Sequence, residues 1–207
     1  MSRPKETALM ILAAGGSTRL GQPKQELIFQ GISLLNRAIE AGLKSQCRRT
    51  LVILGAFHER LIPKINTNQA DILINPKWKE GMSSSLRTGM ESLLEKDQPD
   101  QVIIMLCDQP FVDENILNQL ISTQQETGKP IVACHYKDAL GVPVLFNKKF
   151  FPQLMELKGG EGAKKILHHF PEEVASIPFP SGHIDIDTPA DYKALIWTSQ
   201  KQNSKNK

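Results

Sequence analysis

The stretch Met10-Ile-Leu-Ala-Ala-Gly-Gly-Ser-Thr-Arg-Leu-Gly-Gln-Pro-Lys24 passes from an apolar run into small residues and then offers two cations, Arg19 and Lys24. Small residues let a backbone approach a bulky anion closely, and free N–H groups favour negative charge. Leu12, Ala13, Ala14, Gly15, Gly16 and Ser17 are therefore a candidate cradle for a nucleotide phosphate chain, with Arg19 and Lys24 as its charged contacts. Gly15, Gly16 and Gly21 do not make the G-x-G-x-x-G of a dinucleotide fold, and Lys24 does not complete G-x-x-x-x-G-K-[ST]. An ordinary strand-to-helix turn with surface charges is the other account of the glycines. Far along the chain, Asp108 follows the uninterrupted apolar run Val102-Ile-Ile-Met-Leu-Cys107, so its carboxylate emerges from the core. A divalent cation is a common remedy for such a charge, and a hydrogen bond from a nearby N–H is the alternative. Asp185 and Asp187 are two apart on a segment read as extended, so they face the same way and either can add a hard oxygen ligand. Their other reading is one residue capping the following helix and one in solvent.

Between two of the apolar runs lies Asn75-Pro-Lys-Trp-Lys-Glu-Gly-Met-Ser-Ser-Ser-Leu-Arg-Thr-Gly89. Serine hydroxyls and N–H groups at a helix start can read the polar edge of a base, with Asn75 or Trp78 touching it. A well-capped helix explains the same residues. The five histidines are dispersed without zinc-ligand spacing, and no Gly-x-Ser-x-Gly elbow is present, which argues against covalent hydrolase chemistry.

These residues need a scaffold that brings loops together. Ala8 to Leu12, Thr50 to Leu54, Asp71 to Ile74 and Val102 to Cys107 read as strands, and Ile32, Leu35, Ile39 and Leu43, then Met82, Leu86, Met90 and Leu93, recur at helical spacing. The alternation predicts one α/β domain, residues 1–198: a Rossmann-like open, mainly parallel sheet with helices on both faces. Ligands in such sheets lie beyond the carboxyl ends of the strands, where both the first loop and Asp108 fall. Farther on, strands are expected at Pro130 to His135, Val142 to Phe146, Glu173 to Ile177 and His183 to Ile186. Pro143 inside the second of these argues for an edge position. Thr188-Pro189 reads as the start of a last helix, and residues 199–207 as a disordered basic tail.

Bulk properties narrow the function classes. The chain has 207 residues, 40% hydrophobic and 23% charged, with a net charge of +3 and no apolar stretch near the ~20 residues a membrane span requires. The basic residues are scattered apart from the tail, which excludes a nucleic-acid stripe. Three cysteines far apart make neither a disulfide framework nor a metal site and are expected to be buried thiols in a cytoplasmic protein.

Leu12 to Lys24 resembles the signature of small nucleotidyltransferases that activate a phosphate or sugar phosphate with a nucleoside triphosphate. Asn75 to Gly89, Cys107-Asp-Gln-Pro-Phe111, Gly141-Val-Pro143, Gly159 to Lys164 and Asp185-Ile-Asp-Thr-Pro189 follow in the order and spacing of the molybdenum-cofactor cytidylyltransferase branch. The likeness covers residues 7–195, and Gln109 with Ala14 favours the cytidylyl branch over the guanylyl one. The resemblance implies the nucleotide-diphospho-sugar transferase type of fold and a first loop that holds the triphosphate. It further implies Asp108 and Asp187 as Mg²⁺ ligands, Arg19 and Lys24 with Asp108 as the catalytic group, and Asn75 and Ser85 near the nucleotide. Gly141, Pro143, Gly162 and Lys164 would face the acceptor. The implied reaction moves CMP from CTP to the phosphate of molybdenum-bound molybdopterin and releases pyrophosphate; a target molybdenum hydroxylase or its chaperone is the implied protein partner. The alternatives are transfer from GTP or to a sugar or other small phosphate, and a non-catalytic chaperone of the finished cofactor. One segment departs from the pattern: where relatives commonly read Gly-Asp-x-Gly-Ala-Arg, this chain reads Gly159-Gly160-Glu161-Gly162-Ala163-Lys164.

Overall fold

The computed structural model describes residues 5–205, with side chains for residues 5–198. Strand β1 (Thr7–Ala13) leads through the small-residue loop and a 3₁₀ turn at Lys24–Glu26 to a two-stranded hairpin, β2 (Ile28–Phe29) and β3 (Ile32–Ser33). Helix α1 (Leu34–Lys44) follows, started by Ser33, whose hydroxyl accepts from Asn36 N. Then come β4 (Arg49–Leu54), the short α2 (His58–Leu61), β5 (Asp71–Ile74), α3 (Met82–Lys96) and β6 (Gln101–Leu106). The second half holds α4 (Glu114–Thr127), β7 (Ile131–Tyr136), β8 (Ala139–Asn147), α5 (Phe151–Met155), α6 (Ala163–His169), β9 (Val174–Pro178) and α7 (Pro189–Lys205).

Seven strands form one sheet in the order β5-β4-β1-β6-β8-β7-β9. β5, β4, β1 and β6 pair in parallel, β9 is parallel to β7, and β8 runs antiparallel to both β6 and β7. The expected single-domain, mainly parallel α/β sheet is therefore present. Every residue of β1 is buried, because alternate side chains enter two separate cores. Leu9, Ile11 and Ala13 pack with α1 and α4 on one face; Ala8, Met10 and Leu12 pack with α3, α5 and α6 on the other. Burial on both sides removes polar alternation from the central strands. A third small core holds Leu20, Leu27, Phe29 and Leu34 against Ile186 and Leu195, which brings α7 back beside the first loop.

Several expectations fail for identifiable reasons. β8 is an interior strand, not an edge. Its pairing with β7 jumps from Ala133↔Val144 to Cys134↔Gly141, and its pairing with β6 ends at Ile104↔Val144. Val142 and Pro143 are thus left out of both ladders, so the missing proline N–H costs no hydrogen bond. His183–Ile186 is not a strand: a 3₁₀ turn covers Pro180–His183, and residues 184–187 are irregular. The three serines do not cap α3, whose N-cap Gly81 has no side-chain cap. Cys107 and Cys134 are buried, and burial pushes both thiols up to about 12, but Cys47 is only half-buried. Thr188 does cap α7: its Oγ1 accepts from Asp191 N while Asp191 Oδ2 accepts from Thr188 N. Residues 199–205 of the predicted tail continue helix α7, and residues 206 and 207 lie outside the described residues.

Gly55, just past β4, shows how tightly the first loop is backed. A Cβ there would stand 2.6 Å from Ala14 O and 2.7 Å from Trp78 Cβ. Gly55→Ala is expected to lower stability by about 1–3 kcal/mol, since overpacking forces backbone shifts. An unchanged urea midpoint would show that the loop is not held from this side.

Candidate active site

At the carboxyl edge of the sheet, the chain leaves β1 through Ala14, Gly15, Gly16 and Ser17 and returns at Lys24, whose N–H donates to Ser17 Oγ at 3.0 Å. The Lys24 ammonium then donates to Asp108 Oδ2 at 2.6 Å and to Asp187 Oδ1 at 2.8 Å. Arg19 donates to the other oxygen of Asp187 at 2.5 Å. The four charged residues predicted from the sequence thus converge, although they come from three distant segments. They are not equal partners. The Arg19 side chain is 69% exposed, so its pair is screened by water; those of Lys24 and Asp108 are 17% and 9% exposed.

Burial drives the Asp108 carboxyl above its usual range, and the Lys24 charge offsets this only in part. Burial would lower the Lys24 ammonium, but its ion pairs and hydrogen bonds with Asp108 and Asp187 outweigh that and hold it above its ordinary value. Asp187 is held low: burial acts upward on it, and Lys24 with Arg19 acts downward and prevails. Asp108 Oδ1 is buried and has no hydrogen-bond partner among the described residues. The Asp108 backbone is fixed as well, because its carbonyl accepts from Ile186 N at 3.2 Å and so ties the segment bearing Asp187 to the end of β6.

Two clefts meet here. One, of about 340 Å³, is lined by Leu12, Ala13, Ala14, Gly15 and Gly16 from the loop, by Lys24 and Asp108, and by Trp78, Lys79 and Ser85. The other, of about 570 Å³, is lined by Leu86, Ile104, Val142 and Ala163 together with Tyr136, Gly162, Lys164 and Asp185. Leu12, Met82 and Leu106 belong to both.

The remaining predicted residues take other places. Asn75 is buried, its Nδ2 donating to Ser84 Oγ at 2.8 Å and to Ser85 Oγ at 3.0 Å and its Oδ1 accepting from Lys77 N. It positions Ser85 from beneath and does not line the cleft. Ser17 shapes the loop through Lys24 N. Gly141 and Pro143 sit behind the larger cleft, with Val142 between them on its wall. A Cβ on Gly141 would collide with the Tyr136 hydroxyl, so that glycine makes room for the ring. Asp185 lines the larger cleft while Asp187 faces Lys24, so the two do not form one ligand pair.

Sequence reading missed Gln25, Lys79 and Tyr136 as site residues. Gln25 follows the cation in an exposed-looking Pro-Lys-Gln-Glu run, and Tyr136 closes an ordinary strand. Gln109, which the resemblance makes a mark of the cytidylyl branch, donates through Nε2 to Val142 O at 3.1 Å and to Gly182 O at 2.9 Å, bracing two segments that line the larger cleft.

A mainly parallel sheet with a Gly-rich first loop, and a buried carboxylate at the end of a central strand, have the make-up of an α/β nucleotide-binding protein. The MobA-like NTP transferase domain matches residues 9–174, and the chain belongs to that family; it is a nucleotidyltransferase. The chain is similar to the purine catabolism protein PucB of Bacillus subtilis, 27% identical over 88% of this chain and 92% of that protein. It is also similar to a probable molybdenum cofactor guanylyltransferase of a Nostoc species, 25% identical over 90% of this chain and 88% of the relative. Among solved structures, the Mycobacterium tuberculosis rv0371c homolog from Mycobacterium sp. strain JC1 superposes with a TM-score of 0.83 at 26% identity, covering 95% of this chain and 98% of that one. Among the described residues no helix is long and apolar enough to cross a membrane.

Because Lys24 is the partner that Asp108 Oδ2 has inside the fold, Lys24→Met should destabilise the protein by about 3 kcal/mol, the cost of leaving a buried charge unpaired. Lys24→Met with Asp108→Asn should cost markedly less than Lys24→Met alone. A double-mutant cycle by urea denaturation checks this, and additivity would show that the pair is not coupled.

Proposed function

We propose that the chain transfers CMP from CTP to the phosphate of molybdopterin carrying molybdenum and releases pyrophosphate. The observation that carries the reading is the Lys24 ammonium between Asp108 and Asp187, at the junction of a small-residue loop and two clefts of different character. The smaller cleft suits the nucleotide, with the loop and Lys24 toward its phosphates and Trp78 and Ser85 toward its base. The larger cleft, lined by Leu86, Ile104, Val142 and Tyr136, suits a heterocyclic acceptor, with Lys164 in the same lining.

An acceptor phosphate is already charged at neutral pH, so the protein need not supply a nucleophile. An acceptor oxygen forms a bond to the α-phosphorus, the bond from the α-phosphorus to the bridging oxygen breaks, and pyrophosphate leaves with that electron pair. The two clefts hold the anions in line, and Lys24, Arg19 and the loop N–H groups meet the charge on the β- and γ-phosphates. Asp108 and Asp187 would hold Mg²⁺, and they fit it. Both are hard oxygen donors, one has a buried oxygen without a partner, and Mg²⁺ commonly takes one or two carboxylates along with substrate phosphates. No group of three candidate ligands exists among the described residues, so substrate oxygens would complete the shell. When bound, the ion supplies charge screening and Lewis-acid polarisation of the phosphates. A guanylyl transfer is the second reading, favoured by the name of the Nostoc relative.

The test is pyrophosphate release from CTP and GTP with molybdate-loaded molybdopterin. Turnover is expected with CTP, at a higher specificity constant than with GTP, and is expected to stop on chelation of Mg²⁺. Asp108→Asn should reduce kcat by about a hundredfold or more while remaining folded. Equal specificity constants would remove the cytidylyl assignment; no pyrophosphate from any nucleoside triphosphate with any phosphate acceptor would remove the reaction.

A further inference from the structure

Gln25 is 1% exposed and lies beneath the first loop. Its Nε2 donates to Ala13 O at 2.8 Å and to Gly15 O at 3.2 Å, so both amide hydrogens are engaged by carbonyls two residues apart. A trans peptide is planar, with its N–H directed opposite its C=O. Holding the Gly15 carbonyl against Gln25 therefore sends the Gly16 N–H the other way. Among the described residues, none accepts from the N–H groups of Gly15, Gly16 or Ser17. The turn that carries Gln25 is itself pinned: the adjacent Glu26 accepts from Arg60 Nε at 2.8 Å and from Lys64 Nζ at 2.7 Å. Lys24 and Gln25 thus leave one short turn in different directions, the ammonium to the carboxylates and the amide to the underside of the loop.

We propose that Gln25 is a positioning residue that presets the loop for phosphate: by fixing two carbonyls inward it leaves donors free for the oxygens of a polyphosphate. The inference rests on the reading that this loop holds the triphosphate. Only a side chain with two hydrogens on one atom can serve both carbonyls at once. A carboxylate of the same size would turn acceptors toward acceptors, and a thioether would fill the space without donating.

The experiment compares the full chain with Gln25→Met and Gln25→Asn by calorimetric titration, using inorganic tripolyphosphate and cytidine as separate probes. Gln25→Met is expected to weaken tripolyphosphate about tenfold, through the loss of two hydrogen bonds that orient the loop, and to leave cytidine unchanged. Gln25→Asn, which is one methylene shorter and reaches fewer carbonyls, should fall between. In steady-state turnover, KM for the nucleotide should rise with little change in kcat. Equal affinity of wild type and Gln25→Met for tripolyphosphate would overturn the proposal alone. Wild type that fails to bind tripolyphosphate would overturn the phosphate-loop reading and the proposal with it. A parallel loss of cytidine binding, or failure of both variants to fold, would assign Gln25 a packing role and overturn it too.

Discussion

The structure turns on one buried carboxylate. β6 is buried on both faces, and the first polar side chain beyond it, Asp108, stays 9% exposed at its end. A charge in that position is unstable without a cation, and the fold answers by bringing Lys24 up from the first loop. Much else follows from that requirement. The turn at residues 24–26 must be rigid, which Glu26 with Arg60 and Lys64 provides. The segment with Asp187 must lie against β6, which the Ile186 hydrogen bond and the third core provide. The charged cluster beside the first loop and a stability requirement of the core are the same group of atoms.

The sheet divides the labour between its halves. β5, β4, β1 and β6 run in parallel and deliver their loops to one edge, where the small-residue loop and Asp108 stand side by side. The half beyond β6 reverses direction at β8, so the larger cleft takes Val142 from within β8 and Tyr136 from the end of β7. The two clefts accordingly differ: the first loop lines the smaller one, and strands, helices and later loops together line the larger.

The parts of this arrangement that depend on local chemistry were legible in the residues. The long apolar run ending in Asp108 suits a strand buried on both faces, and the small residues before Arg19 and Lys24 suit a loop that something approaches closely. The meeting of Arg19 and Lys24 with Asp108 follows once the first loop and Asp108 are placed on one edge, whereas Asp187 is joined to them in the sequence only through the family resemblance. What escaped depended on long-range pairing. Nothing within Val142-Pro143 says that a register shift in the neighbouring strand leaves the proline out of the ladder. The tiny hairpin β2–β3 has two residues per strand, too few for any period to show. Gln25, Gln109 and Asn75 look like ordinary polar residues, and their roles come from carbonyls and hydroxyls that the fold delivers, some of them from far along the chain. Serines before a helix look like caps, yet Ser84 and Ser85 serve Asn75 because a glycine with φ of +103° occupies the cap position.

That glycine joins the two halves of the site. Gly81 has no room for a Cβ because the backbone of Gly159 passes against it, and the first turn of α3 is completed by Ser83 N donating to Gly159 O at 3.1 Å. The helix start that borders the smaller cleft and the segment that borders the larger one are therefore in direct backbone contact. A side chain added at position 81 would press on the walls of both clefts at once, since Gly81 lines the smaller one and residues 160–164, which follow directly on Gly159, contribute to the larger.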